Sequence, residues 1–352
     1  MNDVPAYPAA VLSEMSGATL ALHRSLLTLD THIDIPWPEG SDPFEDGRRK
    51  VDLPKMLRGG LGAGCFAAYV PQVKRSDASE AAAFARATDM LAAIRRMGRT
   101  QRGIAARVAE TADAIEAAKR DGVLAIVPAV ENGFAIGRDI GRLAPLRAAG
   151  ARYMTLSHNG HNVLADSAIP RGDLGDAETE HGGLSTLGRR AIAEMNRLGM
   201  VVDVAHVSRA AMLQAAQVSR TPVVSTHSCV RALCDHPRNM DDTQLDALRE
   251  VGGVIQITAV AGFLRAGGKP DTVTLNDFAD HVDYAVRRIG IAHVGISSDF
   301  DGGGCFAGWN DAGESANVTA ALLARGYGRS ELALLWGGNF LRVLRRAEQV
   351  AE

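Results

Sequence analysis

The chain has 352 residues, of which 46% are hydrophobic and 22% charged, and its formal net charge is −3. This composition predicts a globular protein with a sizeable core and excludes a disordered chain. The weak negative charge argues against a nucleic-acid partner, because proteins that bind nucleic acids usually present a strongly basic face.

The sequence pattern predicts neither a transmembrane helix nor a secretory signal. No apolar run approaches the roughly 20 residues that a transmembrane helix needs, and the first 25 residues lack the basic start and unbroken apolar stretch of a secretory signal. The four cysteines, at positions 65, 229, 234 and 305, form no CxxC pair and are expected to be reduced thiols. We therefore predict a cytoplasmic protein with no membrane partner.

Eight short apolar runs recur along the chain, each about as long as a buried strand. They cover residues 26–34, 62–70, 123–131, 153–158, 200–206, 222–227, 253–258 and 293–299. Helical spacing of apolar residues predicts helices at 79–97, 112–120, 187–198, 209–218, 241–250, 276–289 and 329–348. This alternation predicts an α/β fold, a (β/α)8 TIM-type barrel.

The whole chain, 1–352, is expected to form one barrel domain, with residues 1–25 as an N-terminal extension packed on it. The alternative is an open doubly wound sheet, which normally has a glycine-rich turn after its first strand. The sequence there is DTHIDIPWPEG instead. Long loops at 35–60 and 159–184 follow the first and fourth strands, and we expect them to build a substrate pocket.

Ionisable residues occur at the C-terminal ends of these predicted strands, the end of a barrel where active sites lie. They are His32, Asp34, Glu131, His158, His206, His227 and Asp299. Burying so many ionisable groups without a cation would be costly. Imidazole and carboxylate ligands suit zinc or a similar metal, and the number of ligands favours two ions that share a bridging group.

Glu131 is the best candidate for the bridge. Some two-metal barrels use a carboxylated lysine, but none of the five lysines, at positions 50, 55, 74, 119 and 269, ends a predicted strand. The same absence argues against Schiff-base chemistry, which needs a lysine in the mouth of the barrel.

The ordered set of motifs resembles the membrane (renal) dipeptidase family of the metal-dependent amidohydrolases. The matching segments, from about Leu29 to Leu344, are DTHIDIP, GAGCFAAYVP, PAVENG, YMTLSHN, DVAHVS, STHS, HPRN, SDFDG and GGNFLRVL. The resemblance implies a dipeptidase with two zinc ions per subunit, other divalent metals being an alternative. It implies His32 and Asp34 as ligands of one ion, His206 and His227 as ligands of the other, and Glu131 as the bridge.

The resemblance also implies roles for three further residues. Asp299 would be the general acid/base, His158 would contact the substrate near the scissile carbonyl, and Arg238 would hold its terminal carboxylate. A metal-bridging hydroxide would attack the peptide bond of L-Xaa-L-Xaa substrates, and of L-Xaa-D-Xaa substrates as well. The resemblance is also compatible with a homodimer.

The sequence departs from the family pattern at two places. Thr258 and Ala259 stand where well-studied animal members have a tyrosine after the seventh strand, and Asn132 follows the glutamate where those members have Gly-His. Two alternatives stay open from the sequence. One is a binuclear-metal amidohydrolase that acts on another amide, a lactone or an ester, and the other is a non-catalytic binding protein that retains metals.

Overall fold

The structure is a computed structural model and describes residues 16–38 and 40–352. Its strands, in chain order, are β1 (Leu29–Asp34), β2 (Ala63–Tyr69), β3 (Thr100–Gln101), β4 (Ile104–Val108), β5 (Leu124–Glu131), β6 (Tyr153–Thr155), β7 (Val201–Asp203), β8 (Val224–Ser228), β9 (Val254–Ile257) and β10 (Val294–Ile296). All strands except β3 and β4 follow one another as parallel neighbours from β1 to β10. Seven of these eight fall within one of the predicted apolar runs, and β8 extends one residue beyond its run, to Ser228.

The last strand returns to the first and closes the barrel. The backbone N–H of Asp34 donates to the carbonyl of Phe300 at 2.9 Å, and that of Asp299 donates to the carbonyl of His32 at 3.1 Å. The TIM-type barrel prediction is therefore confirmed, and the open sheet is excluded.

The helices in the described residues are α1 (Gly17–Ser25), α2 (Leu53–Gly59), α3 (Asp77–Arg96), α4 (Ala112–Arg120), α5 (Leu143–Ala148), α6 (Thr186–Arg197), α7 (Arg209–Val218), α8 (Asp242–Glu250), α9 (Ala261–Leu264), α10 (Leu275–Ile289), α11 (Ser315–Ala324), α12 (Arg329–Ala333) and α13 (Asn339–Val350). None of them combines the length and apolarity that a membrane span needs. The predicted helix at 329–348 is divided by a π-helical turn at Leu334–Gly338. Gly337 lies against Leu27 there, where a Cβ atom would come within 2.7 Å of the Leu27 side chain.

The antiparallel pair β3–β4 was not predicted. β4 runs parallel to the start of β5, with Ala106 opposite Leu124. Four of its five residues are at least partly exposed, and the segment lacks the continuous apolar run that marks the barrel strands.

The start of the chain lies partly outside the described residues. Residues 1–15 of the predicted N-terminal extension lie outside the described residues. Helix α1, which follows, contacts the barrel through the buried ring of His23. Its Nδ1 lies 2.7 Å from Thr319 Oγ1, and its Nε2 lies 2.9 Å from the carbonyl of Gly59.

Alternation along β5 shows how the barrel directs side chains. Leu124, Ile126 and Val130 belong to the core between the strands and the helices, whereas the odd-numbered Ala125, Val127 and Ala129 belong to a second core cluster on the other face. Glu131 continues the odd-numbered series at the C-terminal end of the strand. The pleat therefore turns its carboxylate toward the inner face at the mouth of the barrel.

Candidate metal centre

The seven ionisable residues predicted at the strand ends converge at the mouth of the barrel. Their side chains form three overlapping sets of three, and the ligand atoms within each set lie within 4.8 Å of one another. The sets are His32, Asp34 and Glu131; Glu131, His158 and His206; and His32, His227 and Asp299. The barrel thus brings together residues from β1, β5 and β8 and from the loops that follow β6, β7 and β10.

Glu131 lies at the centre of this cluster. Its Oε1 atom is 3.1 Å from Nε2 of His206, 3.5 Å from Nε2 of His227 and 3.8 Å from Nε2 of His158. Its Oε2 atom is 3.6 Å from Nε2 of His32. The two oxygens of one carboxylate therefore face different histidines, which is the arrangement that a bridging ligand requires.

Two ligand atoms of the first set have no partner in the described part of the chain. Nε2 of His32 and Oδ1 of Asp34 are buried without a hydrogen bond. They lie 3.8 Å apart. Buried polar atoms are normally paired, because an unpaired one loses its hydration without compensation. The two atoms are suited to act as ligands of one divalent metal ion, which would pair both of them.

The Nδ1 atoms of two histidines are held by neighbours that the sequence analysis missed. Nδ1 of His32 lies 2.9 Å from the hydroxyl of Tyr153, which donates to the carbonyl of Thr31 at 3.0 Å. Nδ1 of His206 lies 3.0 Å from Oδ1 of Asn159. Both oxygens are placed to accept a hydrogen bond from Nδ1–H. This leaves Nε2 of each ring as the atom that would coordinate a metal ion once it has lost its proton.

The third histidine is oriented through a two-step chain of hydrogen bonds. The hydroxyl of Thr226 donates to Oδ2 of Asp203 at 2.7 Å, and its oxygen lies 2.9 Å from Nδ1 of His227. Asp203 is fully buried and also accepts from Thr155 Oγ1 at 2.5 Å. The DVAHVS and STHS motifs contain Asp203 and Thr226, but the sequence gives no sign that the two side chains meet.

The backbone at two site residues lies in the left-handed region. His206 has φ 64° and Asp299 has φ 60°, a conformation that costs free energy for a residue other than glycine. Hydrogen bonds hold both. The carbonyl of His206 accepts from Ala168 N at 2.7 Å, and that of Asp299 accepts from Gly304 N at 2.7 Å.

The glycines after Asp299 leave room for the carboxylates. A Cβ atom at Gly302 would lie 2.6 Å from both Oδ1 of Asp299 and Oδ2 of Asp34. Asp301 fastens this loop, because its carboxylate accepts from the backbone N–H groups of Lys50 and Val51 at 2.9 and 3.1 Å. The absence of a side chain at Gly302 is thus part of the site.

Burial and mutual repulsion shape the electrostatics of the cluster. Burial alone would lower the pKa of His32, but neighbouring Glu131 outweighs burial and raises that pKa to about 10. Burial raises the pKa of Asp299 to about 7, Glu131 adding to the effect and His32 opposing it. Burial also raises the pKa of Asp34. The site therefore favours added positive charge, as a metal centre does.

His158 belongs to the cluster, and Arg238 lies beside it. Burial lowers the pKa of His158 to about 4, so its ring is neutral near pH 7. Burial lowers the pKa of Arg238 to about 10, so its side chain remains a cation. Nη2 of Arg238 lies 3.4 Å from the carbonyl of His227, whereas Nε and Nη1 are buried without a partner in the described residues.

Asn132, at one of the departures from the family pattern, has a structural role. It also has a positive φ, of 84°. Its Nδ2 donates to the carbonyl of Val70 at 2.9 Å, and its Oδ1 accepts from Phe134 N at 3.0 Å. Asn132 therefore joins the ends of β2 and β5 next to Glu131.

A TIM-type barrel with such a cluster of histidines and carboxylates at its C-terminal mouth defines a metal-dependent hydrolase. The profile of the membrane dipeptidase family (peptidase family M19) matches residues 18–352. The chain belongs to this family and is a metallo-dipeptidase.

Individual relatives agree with this assignment. The chain is 33% identical to dipeptidase tcpJ of Claviceps purpurea, in an alignment that covers 99% of this chain and 80% of that protein. The structure of the probable dipeptidase PvdM from Pseudomonas aeruginosa superposes with a TM-score of 0.88 at 29% identity and covers 98% of this chain and 100% of its own. A metallopeptidase from Rhodobacter sphaeroides, liganded with a phosphinate mimic of the dipeptide L-Ala-D-Ala, has a TM-score of 0.80 at 27% identity, with 92% and 99% of the two chains covered.

Proposed function

We propose that this metallo-dipeptidase uses two zinc ions to hydrolyse dipeptides with a free C-terminal carboxylate, of both the L-Xaa-L-Xaa and the L-Xaa-D-Xaa kind. The observation that carries the proposal is the position of Glu131, whose two oxygens face different histidines. His32 and Asp34 would hold one ion with Glu131, and His206 and His227 would hold the other.

The protein's own groups are placed to handle protons and charge. Two zinc ions held by these ligands would supply a water molecule that is nucleophilic at neutral pH. Asp299, whose Oδ1 lies 4.0 Å from Nε2 of His32, would accept the proton of that water and deliver it to the leaving amine. Neutral His158 would donate a hydrogen bond to the carbonyl oxygen of the substrate as negative charge develops there.

Arg238 accounts for the preference for a free carboxylate. It is a buried cation whose Nε and Nη1 donors are unused in the described residues. A carboxylate is the natural partner for such a guanidinium. The relative from Rhodobacter sphaeroides binds a mimic with a D-residue at its C-terminal end, which supports tolerance of either configuration at that position.

The test is a comparison of three matched substrates on zinc-loaded protein: L-Ala-L-Ala, L-Ala-D-Ala, and the C-terminal amide of L-Ala-L-Ala. We expect turnover of both dipeptides and little turnover of the amide. A chelator should abolish the activity, and added zinc should restore it. Equal turnover of the amide, or much faster turnover of a lactone or an uncharged ester, would contradict the proposed substrate class.

A further inference from the structure

A buried histidine outside the metal centre, His281, joins two segments that follow neighbouring strands. It lies on α10 and is only 1% exposed. Its Nδ1 atom lies 3.0 Å from the backbone nitrogen of Val230, and its Nε2 atom lies 3.0 Å from the carbonyl oxygen of Leu264. Val230 lies in the loop after β8, and Leu264 ends α9, which follows β9. One ring therefore fastens two segments at the active-site end of the barrel.

The two partners fix the state of this ring. A backbone N–H can only donate, so Nδ1 must carry the lone pair, and a carbonyl can only accept, so Nε2 must carry the proton. The ring of His281 is therefore neutral and held in one tautomer. Burial lowers the pKa of His281 and so favours the neutral form, although the hydrogen bond with Leu264 opposes this shift. A protonated ring would lose the contact with Val230.

The segment to which Val230 belongs also carries Arg238. We name residues 229–240 the Arg238 loop. Its two ends are paired through Asn239, whose Oδ1 accepts from the backbone N–H of Cys229 at 3.1 Å. Val230 follows Cys229 in the chain, and Arg238 precedes Asn239. The hydrogen bond at Val230 therefore fixes the part of the loop from which the guanidinium extends.

Helix α9 contacts the same loop. Nδ2 of Asn239 donates to the carbonyl of Phe263 at 2.8 Å, and the guanidinium carbon of Arg238 lies 5.2 Å from the centroid of the Phe263 ring. The face of an aromatic ring attracts a cation at this distance. Phe263 precedes Leu264, the residue that pairs with His281. His281 therefore holds both the loop that carries Arg238 and the helix whose aromatic ring contacts it.

We propose that His281 is a positioning residue for dipeptide binding, because it holds the Arg238 loop on α9 and so keeps Phe263 on the guanidinium of Arg238. The proposal rests on the proposed function, in which Arg238 binds the carboxylate of the substrate. A guanidinium pairs with both oxygens of a carboxylate only in a defined orientation. His281 lies outside the three metal-ligand sets, so we expect its loss to weaken dipeptide binding and to leave zinc binding intact.

The experiment measures kcat and KM for L-Ala-L-Ala on the zinc-loaded full chain of the wild type, His281→Leu, Arg238→Met and the double variant. Leucine removes both hydrogen bonds of the ring. We expect His281→Leu to raise KM by about three- to tenfold, with kcat and bound zinc nearly unchanged. In the Arg238→Met background the same substitution should leave KM unchanged, since the guanidinium that His281 positions is then absent.

A second histidine provides the matched control. His23 is also buried and also joins two segments, through Thr319 Oγ1 and the carbonyl of Gly59. Both His23→Leu and His281→Leu should lower the temperature of thermal unfolding, but only His281→Leu should raise KM. Phe263→Leu tests the contact with the guanidinium, and loss of the ring should raise KM by about threefold. Phe263 is half-buried, so this variant decides if His281→Leu does not fold.

Three results would overturn the proposal. The first is an unchanged KM in His281→Leu or in Phe263→Leu, and the second is an equal rise of KM in His23→Leu. The third is the same rise of KM with and without Arg238, which would mean that His281 acts independently of the guanidinium. Arg238→Met alone tests the proposed function. An unchanged KM there would refute the role of Arg238 itself, whereas a raised KM together with any of the three results would refute only the role of His281.

Discussion

The Nε2 atom of His206 lies 3.1 Å from Oε1 of Glu131, so a histidine from the loop after β7 meets the carboxylate that ends β5. The other oxygen of this carboxylate faces His32 on β1. One side chain thus joins histidines from different parts of the barrel, and the proposed chemistry depends on this contact.

The hydroxyl of Thr226 should control the metal affinity of the site through His227. Thr226→Val removes the hydrogen-bond acceptor of Nδ1 and cuts the link to Asp203. We expect zinc affinity to fall by about 10- to 100-fold, the range found for residues that orient metal ligands. Competition with a chelator measures this affinity.

Thr155→Val is the matched control for Thr226→Val. Thr155 donates to the same oxygen of Asp203 at 2.5 Å but does not contact His227. Its loss should lower the stability of the fold and leave zinc affinity nearly unchanged. An equal drop in zinc affinity for both variants would contradict the prediction, because it would mean that the contact between Thr226 and His227 does not set the affinity.

Arg238→Met should raise KM for dipeptides by about 10- to 100-fold with a smaller effect on kcat, because it removes a charge-assisted contact to the substrate carboxylate. An uncharged ester should be little affected. Arg231→Met is the control, since Arg231 is exposed and pairs with Asp235 at 2.7 Å. Equal losses on the dipeptide and the ester would contradict the assigned role.

Gly302→Ala should impair the site while leaving the barrel folded. The new methyl group would lie 2.6 Å from oxygens of Asp34 and Asp299, so both carboxylates would have to move. We expect kcat and bound zinc to fall by about tenfold or more. Gly262→Ala, with no atom within 4 Å of its new Cβ, should change neither quantity. Full activity of Gly302→Ala would show that these carboxylates need no fixed position.

Asp166 should stabilise the long loop at 159–184 in a pH-dependent way. Its carboxylate accepts from Thr179 Oγ1 at 2.7 Å and from the backbone N–H groups of Gly183, Glu180 and His181 at 2.9, 3.0 and 3.0 Å. Burial alone would raise the pKa of Asp166, but these hydrogen bonds outweigh burial and lower it.

The lowered pKa fixes the sign of the effect. The stabilisation is fully present above the unfolded pKa of about 3.9 and is lost as the pH falls through the folded value. Asp166→Asn should therefore destabilise the loop by about 1–3 kcal/mol at neutral pH, with a difference from wild type that shrinks below about pH 4. Hydrogen exchange of residues 159–184 measures this difference. A difference that does not depend on pH would contradict the role of the charge.

The sequence predicted the barrel and the seven ionisable side chains at its mouth for a common reason. Parallel strands are buried on both faces, so they appear as continuous apolar runs, and a histidine or carboxylate that ends such a run points to the active-site face. His32 and Asp34 were recognisable in this way, because they end the first run. The distances between these side chains, however, came only from the structure.

The residues that orient the histidines could not be predicted. Tyr153 begins its strand, and Asn159 lies at the start of a long loop, so neither position marks a contact with a metal ligand. The left-handed backbone of His206 and Asp299 likewise has no sequence signal, because neither residue is a glycine. These features arise from contacts between segments far apart in the chain. The predictions of a cytoplasmic location and of a homodimer stay predictions.

The most direct measurement of the central claim is the anomalous scattering of zinc in crystals of the wild type and of Glu131→Gln. We expect two zinc peaks in the wild type, about 3.5–4 Å apart, each next to one oxygen of Glu131, and the loss of at least one peak in the variant. A single zinc ion in the wild type, or two ions that both remain fully occupied after the substitution, would contradict the claim that Glu131 bridges a metal pair.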